Sequence, residues 1–210
     1  MKVLERLKTR AAAHPARIVM SEGYDARIVA AALEATSLGL ASIVLVGPQD
    51  QIKAEISAQG GQLSGALSIE DPEGSALTKV VADAYFDLRK SKGMTPVKAE
   101  AKALDPLIFS AMMVRLGLTD GTVGGAVATT SDTVRAALQV IGKAPDAELV
   151  SSFFLMVLPD DHPSGRDVMV FSDAGLVIDP DADALAAIAG QSADSLAALL
   201  GLTPKVAMLS

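Results

Sequence analysis

The residues best suited to bind an anion lie between Asp120 and Arg135. The pair Gly124-Gly125 permits the backbone to approach another group closely. Hydroxyl side chains follow and predict the capped start of a helix, because an apolar residue then recurs at helical spacing. A helix N-terminus leaves N–H groups unpaired and carries partial positive charge, so a phosphate can settle there. The candidate donors are Thr129, Thr130 and Ser131.

Helix capping alone is the competing interpretation of this segment, since a strand, a turn and a capped helix recur in α/β proteins. Asp132 opposes anion binding, because a carboxylate in the first turn repels a bound phosphate. Arg135 lies about one turn further on, where it can neutralise Asp132 or contact a ligand itself. The local sequence leaves both interpretations open.

Composition excludes several classes of function. The 210 residues include no cysteine and only two histidines, which excludes disulfides, thiolate zinc sites and a cysteine nucleophile, and we expect no metal site. A net charge of −7 disfavours nucleic acid or an anionic membrane as a partner. Since no apolar run is long enough to span a bilayer and no signal peptide is present, we expect a cytoplasmic protein.

Strand and helix patterns alternate along the first two thirds of the chain. This alternation predicts an α/β fold, with a parallel sheet covered by helices on both faces. Strands are predicted at 17–20, 42–47, 67–69 and 123–128. Helices are predicted at 26–37, 48–58, 75–90, 96–103 and 106–116.

The pattern changes near Pro145, where we place a boundary between a first domain, 1–145, and a second, 146–210. Two strands are predicted at 148–158 and 167–171, followed by helices at 182–189 and 193–200. The apolar segment 205–210 is predicted to begin a further buried strand.

A set of ordered motifs covers almost the whole chain and resembles the phosphate acetyltransferase, or phosphotransacetylase, family. The motifs include Glu22-Gly23-x-Asp25-x-Arg27, Arg89-x-x-Lys92-Gly93-Met94-Thr95, Asp120-Gly121-x-Val123-x-Gly125-Ala126, Thr129-Thr130-x-Asp132, Ser151-Ser152-Phe153, Phe171-x-Asp173 and Pro204-Lys205-Val206-Ala207-Met208-Leu209-Ser210. Some of these patterns also occur in phosphate butyryltransferases and in the phosphotransacetylase-like region of certain malic enzymes. The alternatives are therefore a phosphate butyryltransferase or, as in the malic enzymes, a non-catalytic module that binds coenzyme A.

The resemblance implies two α/β domains that meet at a cleft, as in isocitrate and isopropylmalate dehydrogenases, and a homodimer. It also implies an acyltransferase of acetate metabolism that converts acetyl-CoA and phosphate reversibly into acetyl phosphate and coenzyme A. Neither a metal nor a bound cofactor is expected, and the partners are these small-molecule substrates. Catalysis would then depend on positioning and charge stabilisation.

The resemblance implies that two arginines match family positions in the site, one that holds coenzyme A (Arg89) and a second at the cleft (Arg135). Arg89 precedes Lys92-Gly93, and Arg135 follows the hydroxyl cluster. Guanidinium groups bind phosphate oxygens bidentately, which suits this role. For Arg89 the alternative is a cation at a helix C-terminus, and for Arg135 it is the pairing with Asp132. With both arginines in the site, Thr129, Thr130 and Ser131 become candidate phosphate donors.

The sequence departs from the family pattern at several points. Many members have serine where this chain has Gly124 and proline where it has Ser21. In the family, further residues follow the segment that ends at Ser210, including a late Ser-Arg-Gly motif that supplies catalytic groups. The second domain is therefore expected to be incomplete, the catalytic residues to lie beyond Ser210, and the 210-residue chain to have little turnover.

Overall fold

A computed structural model describes residues 2–209 of the protein. The helices are α1 (Lys2–Ala13), α2 (Ala26–Ser37), α3 (Gln49–Ala58), α4 (Leu77–Arg89), α5 (Pro96–Ala103), α6 (Pro106–Arg115), α7 (Thr130–Val140) and α8 (Ala182–Leu200). The strands are β1 (Ala16–Met20), β2 (Ala41–Val46), β3 (Leu67–Glu70), β4 (Gly121–Val123), β5 (Phe153–Val157) and β6 (Val168–Ser172).

Strands β1 to β4 form one parallel sheet in the order β3-β2-β1-β4. Successive residues of a strand point to opposite faces, so neighbouring positions enter different cores. Val19 and Val44 are paired in register and belong to the core that includes α4, α5, α6 and α7. Met20 and Leu45 are the next pair and belong to the core that includes α2 and α3. The predicted α/β fold, with a parallel sheet between two helical layers, is confirmed.

Contacts within the chain group residues 11–142 into one compact unit, and residues 2–10 with 143–209 into another. The two predicted domains, 1–145 and 146–210, remain a prediction. No sequence pattern had predicted helix α1, whose first nine residues belong to the second of these units. Within the range 2–209, no helix is both long and apolar enough to cross a membrane.

The unit containing residues 143–209 is built on an antiparallel hairpin of β5 and β6. Val3 of α1, Val168 of β6 and Leu200 of α8 form its small core. Two α1 arginines donate hydrogen bonds to carbonyl oxygens at the end of α8, Arg6 to Leu200 at 2.6 Å and Arg10 to Leu199 at 2.8 Å. These cations complement the negative end of the α8 dipole and tie α1 to it.

The predicted strand at 123–128 is wrong. Strand β4 ends at Val123, and residues 124–128 form a loop. The N–H groups of residues 125–128 donate to a side chain instead of a neighbouring strand. Positive φ at Gly125, +98°, also takes the chain out of the extended conformation.

Other departures lie after Gly142. The strand predicted at 148–158 begins only at Phe153, and the helices predicted at 182–189 and 193–200 are one continuous helix, α8. Residue Gln191, in the predicted break, donates to the Leu149 carbonyl at 3.0 Å and accepts from the Ser151 hydroxyl at 2.8 Å. Residues 205–209 form no strand, and Ser210 lies outside the described residues.

Candidate functional site

The strand order creates a crevice at the carboxyl ends of β1 and β4. The chain passes from β1 outward to β2 and β3, and then returns to the other side of β1 as β4. Ligands of open α/β sheets bind outside the carboxyl ends of the strands at such a reversal. The segment after β1, which begins at Ser21, and the loop after β4, which begins at Gly124, therefore border the candidate site.

Glu22 spans this crevice with its carboxylate. Its Oε2 accepts hydrogen bonds from the N–H groups of Gly125 and Ala126, both at 2.7 Å. Its Oε1 accepts from Val127 at 2.9 Å and Ala128 at 2.6 Å. The backbone of this loop therefore surrounds an anion that the sequence did not predict, a carboxylate of the protein itself.

The Glu22 charge is stable in the interior because of these donors. The residue is only 3% exposed, and burial alone would raise the pKa of its carboxyl group. The backbone N–H bonds from Ala128, Val127, Ala126 and Gly125 outweigh burial and lower the pKa of Glu22 below its usual value. Glu22 is therefore ionised at neutral pH.

Gly124 allows the loop to pass directly over Ser21. A Cβ atom at residue 124 would meet the Ser21 Oγ, the shortest of its contacts, and would lie 3.7 Å from the Ser21 Cβ. Ser21 is 1% exposed, and its hydroxyl has no hydrogen-bond partner within residues 2–209. The two departures from the family pattern are thus in contact, and the Ser21 hydroxyl fills the space that a side chain at 124 would need.

An ion pair in the same segment, at the start of α2, also holds the loop. Arg27 donates two side-chain hydrogen bonds to Asp25, at 2.8 and 2.9 Å, and a third to the Ala126 carbonyl oxygen at 2.6 Å. These hydrogen bonds from the Arg27 side chain lower the pKa of Asp25 to about 2. Asp25 is also the N-cap of α2, since it accepts from the Arg27 N–H at 2.9 Å.

The first turn of α7 contains most of the predicted donors. Thr129 is the N-cap, and its hydroxyl accepts from the Asp132 N–H at 3.2 Å and donates to the Asp132 Oδ2 at 2.7 Å. Arg135 donates to the Asp132 Oδ1 at 2.8 Å. Both capping and the Arg135–Asp132 pair, the competing interpretations of these residues, are therefore present in the structure.

Thr130 and Ser131 remain available to a ligand. Both are exposed, and neither their N–H groups nor their hydroxyls make a hydrogen bond within the part of the chain that the structure describes. Arg135 is exposed as well and has further N–H donors beyond the one that contacts Asp132. Among the donors predicted in this turn, unbonded groups therefore remain on Thr130, Ser131 and Arg135 within residues 2–209.

Arg89 is the last residue of α4, as the helix C-terminal interpretation predicts. It is half-buried, its Nε is buried without a hydrogen-bond partner, and no ion pair reaches its guanidinium among residues 2–209. The nearby cation Lys90 is already paired with Asp87 at 2.8 Å. Burial without a counter-charge is costly for a cation, because water is removed and nothing replaces it. No hydrogen bond joins Arg89 to the α7 donors.

A second carboxylate resembles Glu22 in the other unit. Asp173 Oδ1 accepts from the N–H and the hydroxyl of Ser152, at 2.5 and 2.9 Å. Its Oδ2 accepts from the N–H groups of Gly175, Leu176 and Val177 at 2.6 to 2.9 Å. Burial would raise the pKa of Asp173, but the backbone hydrogen bonds lower it strongly.

Neither carboxylate was predicted to have a role, although both lie in the family motifs. For Asp173 a signal exists, because Asp followed two residues later by Gly is typical of an Asx turn. For Glu22 there is none, because its partners lie 103 to 106 residues away. In the described part of the chain, no group of three or more His, Cys, Asp or Glu side chains could hold a metal ion.

Comparisons with known proteins agree on one family. The family model described as "Phosphate acetyl/butaryl transferase" matches residues 2–210. A phosphate acetyltransferase from Paracoccus denitrificans is 46% identical over 210 residues, and one from Acetivibrio thermocellus is 41% identical over the same length. In both cases the alignment covers 100% of this chain and 62% of the relative, so the chain spans less than two thirds of their length.

Solved structures have the same fold. A phosphotransacetylase from Streptococcus pyogenes superposes with a TM-score of 0.88 at 31% identity, covering 100% of this chain and 61% of that one. The EutD phosphotransacetylase from Staphylococcus aureus superposes with a TM-score of 0.87 at 30% identity and covers the same shares.

Proposed function

The chain belongs to the phosphate acetyl/butaryl transferase family, and we propose that this protein transfers acetyl groups reversibly between acetyl-CoA and phosphate. Relatives named phosphate acetyltransferase match the whole chain at 41 to 46% identity, which favours acetyl over butyryl as the acyl group. In the acetyl-CoA-forming direction, the thiolate of coenzyme A attacks the carbonyl carbon of acetyl phosphate. The C–S bond forms, the C–O bond to phosphate breaks, and phosphate leaves with the electron pair.

The observation that carries this proposal is the set of free donors at the start of α7. Thr130 and Ser131 present unbonded N–H groups and hydroxyls beside Arg135, at the carboxyl edge of the sheet. We assign these residues to a phosphate group of the substrate, because a helix N-terminus and a guanidinium both favour dianions. Thr129 supports them through its cap, since its hydroxyl is already bonded to Asp132.

Arg89 extends the proposal to coenzyme A. Its guanidinium is half-buried and has no partner among residues 2–209, so it can bind a phosphate group of coenzyme A. Acetyl-CoA and coenzyme A enter as substrates, and no separate bound cofactor or metal is proposed. A homodimer located in the cytoplasm completes the proposal, and sedimentation of the purified protein would test the dimer.

Calorimetric titration with coenzyme A tests the site directly. We expect Arg135→Ala to raise the Kd about tenfold, since a lost charge-assisted contact is worth about 1.4 kcal/mol or more. Asp132→Asn should lower the Kd about twofold to fivefold, because it removes a repulsive charge and releases Arg135. Arg166→Ala is the matched control, since Arg166 is exposed and its side chain makes no hydrogen bond or ion pair within the described residues.

Unchanged affinity in both Arg135→Ala and Asp132→Asn would reduce Arg135 to a partner of Asp132 and would remove it from the site. The reaction itself is tested by measuring thioester formation from coenzyme A and acetyl phosphate, with butyryl phosphate as the competing substrate. High enzyme concentrations are needed, because the 210-residue chain is expected to have little turnover. A higher kcat/KM for butyryl phosphate would overturn the acetyl assignment.

A further inference from the structure

We propose that Glu22 is a positioning residue, a permanent internal anion that fixes the loop 125–128 and thereby the first turn of α7. The assignment of that turn to a phosphate rests on the proposed function, whereas the role of Glu22 in holding the loop does not. No ligand has to be invoked to explain the loop conformation, because its donors are already satisfied by the carboxylate.

The position of Glu22 is fixed because the residues on either side of it donate backbone hydrogen bonds to two strands. The Ser21 N–H donates to the Val123 carbonyl at the end of β4, at 3.1 Å. The Gly23 N–H donates to the Val46 carbonyl at the end of β2, at 3.0 Å. The backbone on either side of Glu22 is therefore held by the central sheet, and the carboxylate transmits that position to the loop.

The loop is short, so its position determines where α7 begins. Ala128, the last residue bonded to Glu22, is followed directly by Thr129, the N-cap of α7. On its carbonyl side the loop is also held by Arg27, which donates to the Ala126 oxygen at 2.6 Å. Displacement of residues 125–128 would therefore move the N–H groups of Thr130 and Ser131 relative to the sheet.

This arrangement also limits where a ligand can bind. With Glu22 ionised, the loop backbone has no free N–H group to offer between Gly125 and Ala128. Removal of the carboxylate would leave a small pocket with several aligned donors, which favours an anion. Acetate contains the same heavy atoms that Glu22→Ala removes, so acetate should occupy this pocket and restore the loop.

Amide hydrogen exchange of the 210-residue chain, read by NMR, tests the inference. In Glu22→Ala we expect exchange at residues 125–128 to become at least tenfold faster, and millimolar to molar acetate to reverse the change. Acetate should leave the wild-type rates unchanged, and bulkier pivalate should not rescue the variant. Glu34→Ala is the control, because Glu34 is exposed on α2 and its carboxylate has no hydrogen-bond partner within residues 2–209.

Slow exchange at 125–128 in Glu22→Ala without acetate would overturn the inference. If that variant does not fold, Glu22→Gln decides, because its single amide oxygen can accept from only some of the loop donors. Wild-type exchange throughout the loop of Glu22→Gln would then be the contradicting result.

Coenzyme A titration separates this inference from the proposed function. We expect Glu22→Gln to raise the Kd about tenfold while Glu34→Gln leaves it unchanged. Faster loop exchange with wild-type affinity would show that Glu22 holds the loop without positioning the ligand site, against the inference. If the wild-type chain binds no coenzyme A, the proposed function fails, and the exchange rates and the chemical shifts of Thr130 and Ser131 still decide the role of Glu22.

Discussion

Glu22 and Asp173 are both carboxylates that accept several backbone hydrogen bonds, but their partners lie at different distances along the sequence. Each carboxylate accepts several backbone N–H groups, and in each the hydrogen bonds outweigh burial and lower the pKa. Asp173 binds N–H groups two to four residues ahead and Ser152, 21 residues before it. Glu22 binds a loop more than 100 residues away.

This difference determines what each carboxylate stabilises. Asp173 organises its own turn and the start of the neighbouring strand β5, whereas Glu22 joins two segments that are adjacent only because β4 returns to the side of β1. The contact made by Glu22 can form only when the sheet has formed. Loss of Glu22 should therefore weaken the unit formed by residues 11–142, and loss of Asp173 should open a local turn.

The largest expected effect is that of Glu22→Gln on stability. We expect it to lower the free energy of unfolding by about 3 kcal/mol, because buried N–H donors lose a charged acceptor. Urea unfolding, followed by circular dichroism, measures this change. Glu34→Gln, on the exposed face of α2, should be nearly neutral.

Asp173→Asn should cost less, about 2 kcal/mol, because Asp173 is less buried than Glu22 and water can pair with the N–H groups that its turn releases. Faster amide exchange should be limited to Gly175, Leu176, Val177 and Ser152, with the α7 amides unaffected. Asp146→Asn, at an exposed residue, is the matched control. If Asp173→Asn proves as damaging as Glu22→Gln and destabilises α7, the distinction between a local and a long-range carboxylate is wrong.

Lowering the pH should remove the stabilisation that both carboxylates provide. Because their pKa values are lower in the folded protein, both stabilise it above their unfolded pKa of about 4, and this stabilisation disappears as pH falls through the folded values. We therefore expect the free energy of unfolding of the wild type to fall steadily below about pH 4. Glu22→Gln and Asp173→Asn should each show a shallower slope, and slopes equal to that of the wild type would contradict the assigned pKa directions.

The smallest expected effect is a coupling between Ser21 and Gly124 in the free energy of unfolding. Both residues lie next to the loop 125–128 or to Glu22 in the sequence. Gly124→Ala should destabilise the protein by about 1 to 2 kcal/mol, since its Cβ would overlap the Ser21 hydroxyl. Ser21→Ala removes a hydroxyl that has no partner in residues 2–209 and should be nearly neutral. In the double variant the cost of Gly124→Ala should fall, and additive effects in urea unfolding would show that the two side chains do not compete for space.

Much of the first unit could be predicted because its signals are local. Strands β1 and β2 contain apolar runs, and β3 alternates Leu67 and Ile69 with polar residues. Helices α5 and α6 begin with Pro after a capping residue, Thr95 or Asp105. The errors occur where a distant contact overrides local pattern. Residues 125–128 were predicted as strand, but their N–H groups donate to Glu22. The break predicted around Gly190 is absent, and Gln191 contacts Leu149 from within the continuous helix α8.

The same division holds for the site. The hydroxyls, the glycines and Arg135 were identifiable from residue types in order, and so was the conflict between Asp132 and an anion. The sequence could not show which of these donors lack an internal partner, because that depends on the acceptors that the fold brings near each donor. The Thr129 hydroxyl is bonded to Asp132, whereas the N–H groups and hydroxyls of Thr130 and Ser131 have no hydrogen-bond partner among residues 2–209.

By itself, the sequence determined the α/β class, the family resemblance and the composition of the segment from Asp120 to Arg135, since each depends on local periodicity or on motif order. Only the tertiary structure decided that this segment already holds an anion. Backbone donors at residues 125–128 and the Glu22 carboxylate meet because the sheet places β4 beside β1, and no spacing along the chain encodes that neighbourhood.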